Sequence, residues 1–167
     1  MVSSPMYLAS VPDAPSNAPT SDNSVTTGQY MKIVYGPVVN DGGLPVLSYE
    51  LQMGSLNLND FVSLVGGDPY TLQLTFVVTT NITKGELYTF RYRAINQVGF
   101  GAWSPIAILQ AATVPSPPGM PQYVSSTATT ITLSLTQSND NGGNKIIKHI
   151  LKRDGGDLST EINTVVT

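Results

Sequence analysis

The sequence predicts an all-β fold in which two sheets pack as a sandwich, followed by an incomplete second copy of the same fold. Helical periodicity is missing from nearly all of the 167 residues, whereas β-branched and aromatic residues alternate with polar ones. Gly, Pro, Asn and Asp interrupt these stretches at short intervals, as they do between strands. A further observation is an internal repeat whose spacing is that of a whole domain.

Four alternating stretches predict strands, because a side-chain period of two places one set of residues in a core and the other in water. The sets expected in the core are Met31, Ile33 and Tyr35; Tyr49, Leu51 and Met53; Leu72, Leu74, Phe76 and Val78; and Tyr88, Phe90, Tyr92 and Ala94. The residues expected to face water include Glu50, Thr89, Arg91 and Arg93. These strands are too many for a single one-sided sheet, so two packed sheets are predicted.

The repeat defines the predicted domains. Asn40-Asp41-Gly42-Gly43 recurs 100 residues later as Asp140-Asn141-Gly142-Gly143. A Val-Pro boundary occurs at Val11-Pro12 and again at Val114-Pro115. We therefore expect the last strand of a preceding repeat in residues 1–10, a complete domain in residues 11–113 and the first half of a following domain in residues 114–167. This organisation is typical of a piece of a longer tandem array.

These features resemble the fibronectin type III family, which has a seven-stranded immunoglobulin-like sandwich. Pro12-Asp13-Ala14-Pro15 resembles the first strand of the family. Residues 82–88 resemble its Leu-x-Pro-Gly-x-x-Tyr corner, with Ile for Leu and Lys for Pro. The resemblance implies fold-defining roles for Tyr35, Tyr49, Ile82 and Tyr88.

The resemblance also implies specific contacts for these residues. Tyr35 stands where the family usually has a buried Trp, and its hydroxyl is expected to reach the surface or a partner. Ile82 is expected to point into the core. The hydroxyl of Tyr88 is expected to form a hydrogen bond with backbone in the loop before it.

Few residues suit catalysis or cofactor binding. The chain has no Cys and one His, His149, whose place on the core-facing side of a strand predicts a partly buried, neutral side chain. The acidic residues are scattered, and no Gly-x-Ser-x-Gly elbow is present. Residues 40–43 and 139–143 have oxygen atoms that suit Ca²⁺ but not the EF-hand spacing, so turns are favoured there. We predict no catalytic residue, no cofactor and no metal.

The charge balance narrows the expected partners. Lys and Arg number 8 against 11 Asp and Glu, and charged residues make up 11% of the chain. Nucleic acids and anionic membranes are disfavoured, because basic residues supply the binding energy there. No apolar run approaches the roughly 18 residues of a membrane helix, so no direct membrane insertion is expected. The expected partners are neighbouring repeats of the same chain and other proteins.

Two surface sites are candidates for modification or contact. Asn81-Ile82-Thr83 fits the N-glycosylation pattern, but an unmodified polar loop residue is the favoured interpretation. Trp103 follows the predicted strand that carries Arg91 and Arg93, and Gly101-Ala102-Trp103-Ser104 resembles half of the Trp-Ser motif of the cytokine-receptor branch. A guanidinium stacked on the indole would stiffen the sheet. Alternatively, the three residues contact another protein.

The incomplete repeat predicts an open hydrophobic face. The exposed residues there are expected to be Ile131, Leu133, Leu135, Ile146 and Leu151. More of the native chain, a neighbouring molecule or an exchanged strand would have to cover them. In the complete domain, residues 61–65 predict an edge strand without charges, which is open to strand addition.

The function expected from these features is non-catalytic: spacing and protein–protein contact within a tandem array. The low charge and the polar surface favour an extracellular or cell-surface array of the adhesion or receptor type. An intracellular filament-associated or ciliary scaffold is an alternative home for such an array. A spacer in a secreted multidomain enzyme is a further alternative.

Overall fold

The computed structural model describes residues 8–154 and 161–166, and the side chains of residues 8–152. The chain divides between Thr113 and Val114 into two compact units. Residues 1–7, which belong to the predicted last strand of a preceding repeat, lie outside the described residues. Among the described residues, no helix has the length and apolar character needed to cross a membrane.

The first unit consists of two antiparallel sheets. Its strands are β1 (Thr20–Ser21), β2 (Met31–Val34), β3 (Ser48–Gly54), β4 (Val62–Val65), β5 (Thr75–Val78), β6 (Leu87–Ile95) and β7 (Ala107–Gln110). One sheet has the order β1-β2-β5 and the other the order β4-β3-β6-β7. This arrangement confirms the predicted all-β fold.

Both sheets of the first unit contribute to one core. Met31 and Ile33 of β2 are fully buried, as are Leu51 of β3 and Phe90 of β6. These residues belong to the sets that the alternation places in the core. Burying each such side chain contributes about 1.5–3 kcal/mol.

Two strands begin later than the sequence predicts. The residues 12–15 expected in the first strand lie outside β1, which starts at Thr20. Proline has no N–H to donate to a ladder, so pairing with β2 starts only after Pro19. The stretch expected from Leu72 forms β5 only from Thr75, and Leu72 is 61% exposed.

The expectation that Glu50 and Thr89 face water is wrong. Glu50 is 5% exposed and Thr89 is fully buried. Thr89 Oγ1 donates a hydrogen bond of 2.8 Å to the Ser55 carbonyl oxygen, and Glu50 forms an ion pair with Arg93. Large side chains cover this outer face of the sheet, so its polar residues find partners within the protein.

The tyrosines tie loops to the strands. Three hydroxyls accept hydrogen bonds from backbone N–H groups: Tyr88 from Thr83 at 2.7 Å, Tyr49 from Val38 at 3.3 Å and Tyr92 from Gly36 at 3.3 Å. The hydrogen bond expected at the corner is therefore present.

The expectation for the Tyr35 hydroxyl is wrong. The ring packs against Tyr92 with a centroid distance of 5.0 Å. The hydroxyl is buried and has no hydrogen-bond partner among the described residues. Burial, with a smaller effect from Tyr92, raises the pKa of Tyr35 to about 12. The Tyr35 side chain therefore fills the core position expected from the resemblance, but its hydroxyl oxygen reaches neither the surface nor a described hydrogen-bond partner.

The second unit is described by four strands. They are β8 (Gln122–Ser126), β9 (Ile131–Ser134), β10 (His149–Asp154) and β11 (Glu161–Val166). β8 pairs with β9 and β10 pairs with β11, both antiparallel. His149 is half-buried, and its Nε2 atom is buried without a hydrogen-bond partner in the described part of the chain.

The apolar face of the second unit is open. Ile131, Leu133 and Leu135 are 70%, 40% and 41% exposed, whereas Met31, Ile33 and Tyr35 at the same places in the first unit are 0%, 0% and 5% exposed. Ile146 and Leu151 are half-buried. The predicted exposure is thus confirmed for three of the five residues and is only partial for the other two.

Candidate functional site

The outer face of the four-stranded sheet carries a column of alternating arginine and aromatic side chains. The guanidinium of Arg91 lies 4.0 Å from the ring centroid of Phe61 and 4.2 Å from that of Trp103. The guanidinium of Arg93 lies 4.1 Å from the ring centroid of Trp103 and 4.1 Å from that of Phe100. Trp103 is thus held between two cations, each of which has a second ring on its other side. We call these five residues the arginine–aromatic stack.

Strand pairing supplies the polar partners of the two arginines. In the register of β3 with β6, Gln52 lies opposite Arg91 and Glu50 lies opposite Arg93. Arg91 donates from Nε at 3.0 Å and from Nη2 at 2.8 Å to Gln52 Oε1. Arg93 donates from Nε to Glu50 Oε2 at 2.8 Å, and its Nη2 lies 2.7 Å from the same oxygen.

A hydrogen bond joins the two partners. Gln52 Nε2 donates to Glu50 Oε1 at 3.0 Å. Glu50 therefore uses both carboxylate oxygens, and Gln52 uses both ends of its amide. This network, in which each member is bonded to a neighbour, fixes the two guanidinium planes in the orientation that stacking needs.

The two arginines do not have equivalent charge environments. Arg93 has a carboxylate partner, whereas the hydrogen-bonded partner of Arg91 is the neutral amide of Gln52. Burial and the nearby charge of Arg93 lower the pKa of Arg91, against a smaller opposing effect of Glu50. An arginine stays protonated in proteins, so Arg91 contributes a positive charge without a directly bonded carboxylate.

Ser104 positions the indole. Its N–H donates to the Tyr92 carbonyl oxygen at 2.8 Å, and its hydroxyl accepts the Tyr92 N–H at 3.1 Å. Tyr92 lies between Arg91 and Arg93 in β6, so these bonds place the neighbouring Trp103 at the height of both arginines. Trp103 itself is half-buried.

The phenylalanines close the stack at both ends. Phe100 forms an isolated bridge with Ile95, the last residue of β6. It is 49% exposed, so this end of the stack is open to solvent. Phe61 immediately precedes β4, the edge strand of the sheet. The stack therefore extends over the sheet from its edge strand to the loop that follows β6.

The structure brings together Arg91, Arg93 and Trp103, as the sequence suggests. The sequence interpretation missed the other members of the site, which are Phe61, Phe100, Glu50 and Gln52. Alternation does place Glu50 and Gln52 on the same face as the arginines. Their pairing needs the register of β3 with β6, which alternation alone does not supply.

The candidate glycosylation site and the candidate calcium loop are not part of the arginine–aromatic stack. Asn81 is exposed with φ of 58°, and the neighbouring Ile82 packs against the core. The side chains of residues 40 and 41 close turns, because Asn40 Oδ1 accepts the Gly42 N–H at 3.0 Å and Asp41 Oδ1 accepts the Gly43 N–H at 2.9 Å. Within the described residues, no group of three His, Asp or Glu side chains is arranged to hold a metal ion.

No protein-family model matches the sequence. Fibronectin type-III domain-containing protein 3A of Homo sapiens is 27% identical over 88 residues, and its Gallus gallus counterpart is 28% identical over 88 residues. These matches cover 53% of this chain and 7% of each relative. The similarity therefore concerns one domain-sized region of much longer proteins.

Solved structures show the same fold. The fourth FNIII domain of a human protein matches with a TM-score of 0.55 and 19% identity, over 70% of this chain and 92% of that domain. The chain contains the fibronectin type III fold. The sixth such domain of human fibronectin type III domain containing protein 3 matches with a TM-score of 0.52 and 16% identity, over 67% of this chain and 96% of that one.

A fibronectin type III domain is a modular unit that typically has no catalytic role. A multi-domain segment of titin matches with a TM-score of 0.52 and 17% identity, over 62% of this chain and 33% of that segment. In that protein, the fold stands beside further domains. The first unit of this chain likewise has a second unit after it in sequence.

Proposed function

We propose that this chain is a segment of a tandem fibronectin type III array that works by spacing and by protein–protein contact. The observation that carries the proposal is that two backbone hydrogen bonds of the first unit recur at equivalent places in the second. The sequence repeat alone is short, and much of it consists of turn residues. Equivalent hydrogen bonds at equivalent places are a stronger argument.

Two loops show the repetition. The Thr27 N–H donates to the Tyr30 carbonyl oxygen at 2.9 Å, and its equivalent is the bond from the Thr127 N–H to the Thr130 carbonyl oxygen at 2.9 Å. The Asp13 N–H donates to the Asn40 carbonyl oxygen at 3.1 Å, and its equivalent is the bond from the Ser116 N–H to the Asp140 carbonyl oxygen at 2.9 Å. Strand β9 also begins 100 residues after β2. These equivalences support residues 11–113 as a complete domain and residues 114–167 as the first half of another.

The open face of the second unit belongs to the same proposal. In the first unit, β5 pairs with β2 and β6 pairs with β3, and these strands help to cover Met31 and Ile33. Strands equivalent to β5–β7 would cover Ile131 and Leu133 in the same way. We propose that the continuation of the same polypeptide in the array supplies these strands. Strand exchange with another molecule through residues 114–167 is the competing source.

The intact mass of the native polypeptide tests the array. Extraction from the source organism followed by mass spectrometry should give a mass far above the 17.7 kDa of this chain. A native mass of 17.7 kDa would contradict the array. Strand exchange between copies would then have to cover the open face.

The arginine–aromatic stack is the proposed contact surface for other proteins. Trp and Arg are the residue types most enriched at binding hot spots. Here they lie half-buried on the outer face of the sheet, with Phe100 reaching solvent. The positive charge of Arg91, which has no directly bonded carboxylate, favours a partner that presents an acidic group.

Trp103→Ala tests the contact surface against a purely structural role. Loss of two cation–π contacts should cost about 1–2 kcal/mol of unfolding free energy. Affinity purification from an extract of the source, with wild-type and variant chains as bait, measures the contact separately. Tyr70→Ala, at an aromatic residue that is 54% exposed and outside the stack, is the matched control. Equal capture by the wild-type and the folded Trp103→Ala chains would leave the stack with a structural role alone.

The cell-surface location has its own test. Asn81 is exposed, as a glycosylated residue must be. A loss of mass at the Asn81 peptide of the native protein after treatment with an N-glycosidase would support a secretory route. Absence of glycan together with co-sedimentation with cytoskeletal filaments would favour the intracellular scaffold instead.

A further inference from the structure

The first described residues of the first unit lie across two of its loops. We call residues 8–13 the leading segment, and residues 40–43 together with residues 96–101 the seat. The Ser10 N–H donates to the Gly42 carbonyl oxygen at 2.8 Å, and the Asp13 N–H donates to the Asn40 carbonyl oxygen at 3.1 Å. Asn40 Nδ2 also donates to Asp13 Oδ2 at 3.1 Å. The leading segment is thus bonded to the first loop at two places.

Asn96 joins the leading segment to both loops. It is 3% exposed. Its Nδ2 donates to the Ser10 carbonyl oxygen at 2.7 Å and to the Asp41 carbonyl oxygen at 2.8 Å. Its Oδ1 accepts the Val98 N–H at 2.9 Å and the Gly99 N–H at 3.2 Å. The amide thus uses both donors and both acceptor positions, and none of these partners is a side chain.

Glycines make room for the leading segment. Gly42 has φ of 78°. A Cβ there would collide with the Ser10 carbonyl oxygen and would lie 2.7 Å from the Val11 carbonyl oxygen. A Cβ at Gly101 would lie 2.6 Å from the Pro12 carbonyl oxygen. The backbones approach each other more closely than any side chain at these two positions would allow.

We propose that the seat is a recognition surface for extended backbone and that its ligand is the leading segment of the same chain. The seat bonds the N–H and carbonyl groups of Ser10, whereas the Leu8 side chain is 96% exposed and Ser10 is exposed. At Ser10, recognition therefore depends on backbone geometry, whereas further along the segment the Pro12 side chain is fully buried and the Asp13 carboxylate accepts from Asn40. The segment is held on one path across the end of the domain instead of forming a flexible linker.

The seat has a consequence for the array, and this consequence rests on the proposed function. In a tandem array, the seat sets the direction from which the preceding domain reaches this one. In the second unit, the bond from the Ser116 N–H to the Asp140 carbonyl oxygen is present at 2.9 Å. None of the residues described there takes the role of Asn96. The amide of Ser116 should therefore exchange faster than the amide of Asp13.

Hydrogen exchange of the Ser10 amide, measured by NMR on the full chain, tests the seat. Gly42→Ala and Gly43→Ala form a matched pair, because φ is 78° at Gly42 and 85° at Gly43. An added Cβ at Gly43 stays 3.3 Å from the nearest atom, the Leu8 carbonyl oxygen, whereas one at Gly42 collides with Ser10. We expect Gly42→Ala to accelerate Ser10 exchange at least about tenfold relative to Gly43→Ala.

Asn96→Asp is the second variant. It keeps an acceptor for Val98 and Gly99 but replaces the amide donor by an oxygen that faces the Ser10 and Asp41 carbonyl groups. Ser10 exchange should rise here too, while the amide of Leu51 in β3 stays protected. If the Leu51 amide also loses protection, the Asn96→Asp variant has unfolded, and the comparison of Gly42→Ala with Gly43→Ala then tests the seat.

Two results would overturn the seat. One is a Ser10 amide that exchanges in the wild type as fast as an unprotected amide, and the other is equal acceleration by the two glycine variants. Either result leaves the native mass of the array untouched, so the failure of the seat is distinguishable from the failure of the array.

Discussion

The tyrosines of the first unit show how much depends on a single oxygen atom. Tyr88, Tyr49 and Tyr92 each accept a hydrogen bond from a loop N–H, whereas the Tyr35 hydroxyl has no partner among the described residues. A made hydrogen bond contributes about 1 kcal/mol, and a buried group without a partner costs about 1–3 kcal/mol. Removing the hydroxyl should therefore have opposite effects at different tyrosines.

Tyr88→Phe should lower the unfolding free energy by about 1 kcal/mol, because it removes the acceptor of the Thr83 N–H. Urea unfolding followed by tryptophan fluorescence measures the change, since the single Trp lies in the same unit. An unchanged midpoint would show that the corner hydrogen bond contributes nothing to stability.

Tyr35→Phe should leave stability unchanged or raise it by about 1 kcal/mol, because the hydroxyl it removes is buried without a described partner.

The variant should also change how the unfolding free energy depends on pH in alkaline solution. The pKa of Tyr35 is raised from 10.0 to about 12, so the folded protein keeps a proton that the unfolded chain loses. The associated stability is present below pH 10 and is lost as the pH rises towards 12.

The measurement is the unfolding midpoint as a function of pH. The Tyr35→Phe chain should lose less stability than the wild type between pH 10 and pH 12. Parallel curves for the two proteins would contradict the raised pKa.

At the scale of elements, strand β6 has different tasks on its two faces. Phe90, Tyr92 and Ala94 belong to the core, while Arg91 and Arg93 hold the arginine–aromatic stack on the other side. The sequence of this outer face is polar, yet large side chains cover it, so that Glu50 and Thr89 are buried. Its order depends on β3, which presents a carboxylate and an amide in register with the two guanidinium groups.

Glu50→Gln should destabilise the protein by about 1–3 kcal/mol, because it removes the carboxylate of a nearly buried ion pair and leaves the charge of Arg93 unopposed. The Glu50 side chain is 6% exposed and that of Arg93 is 21% exposed. Glu86→Gln makes the same change of charge at an exposed position and is the control. Thermal unfolding compares the two, and equal melting temperatures would mean that the network does not depend on the carboxylate.

At the scale of the whole molecule, the two units share a pattern and differ in burial. Equivalent strands and turns form in both, but the apolar residues of β9 lie largely open where those of β2 are covered. Hydrophobic stabilisation follows the area removed from water. The contribution of the same position should therefore differ between the units.

Ile33→Ala should cost about 2–5 kcal/mol, because it leaves a cavity at a fully buried site. Ile131→Ala makes the same substitution on the second unit at a residue that is 70% exposed, and it should change stability by less than about 1 kcal/mol. Chemical unfolding of both variants checks the contrast. Comparable losses would indicate that another molecule covers the second unit in solution.

The corner tyrosine was predicted from the family resemblance. The sequence by itself determined most of the strands, the faces of most of their residues and the repeat. These features depend on local rules, because side chains alternate along a strand and turns need Gly, Asn and Asp. The late start of β1, which the sequence prediction missed, is also local in origin, since it follows from proline. Residues such as Met31 and Ile33 are buried where the alternation places them.

Only the tertiary structure decided the burial of Glu50 and Thr89, the isolated hydroxyl of Tyr35, the complete arginine–aromatic stack and the seat around Asn96. Each of these depends on the register of strands or on the approach of loops far apart in sequence. Asn96, for example, meets Ser10 across a separation of 86 residues. A pattern with a period of two does not contain that information, because it specifies a face and not the neighbour across from it.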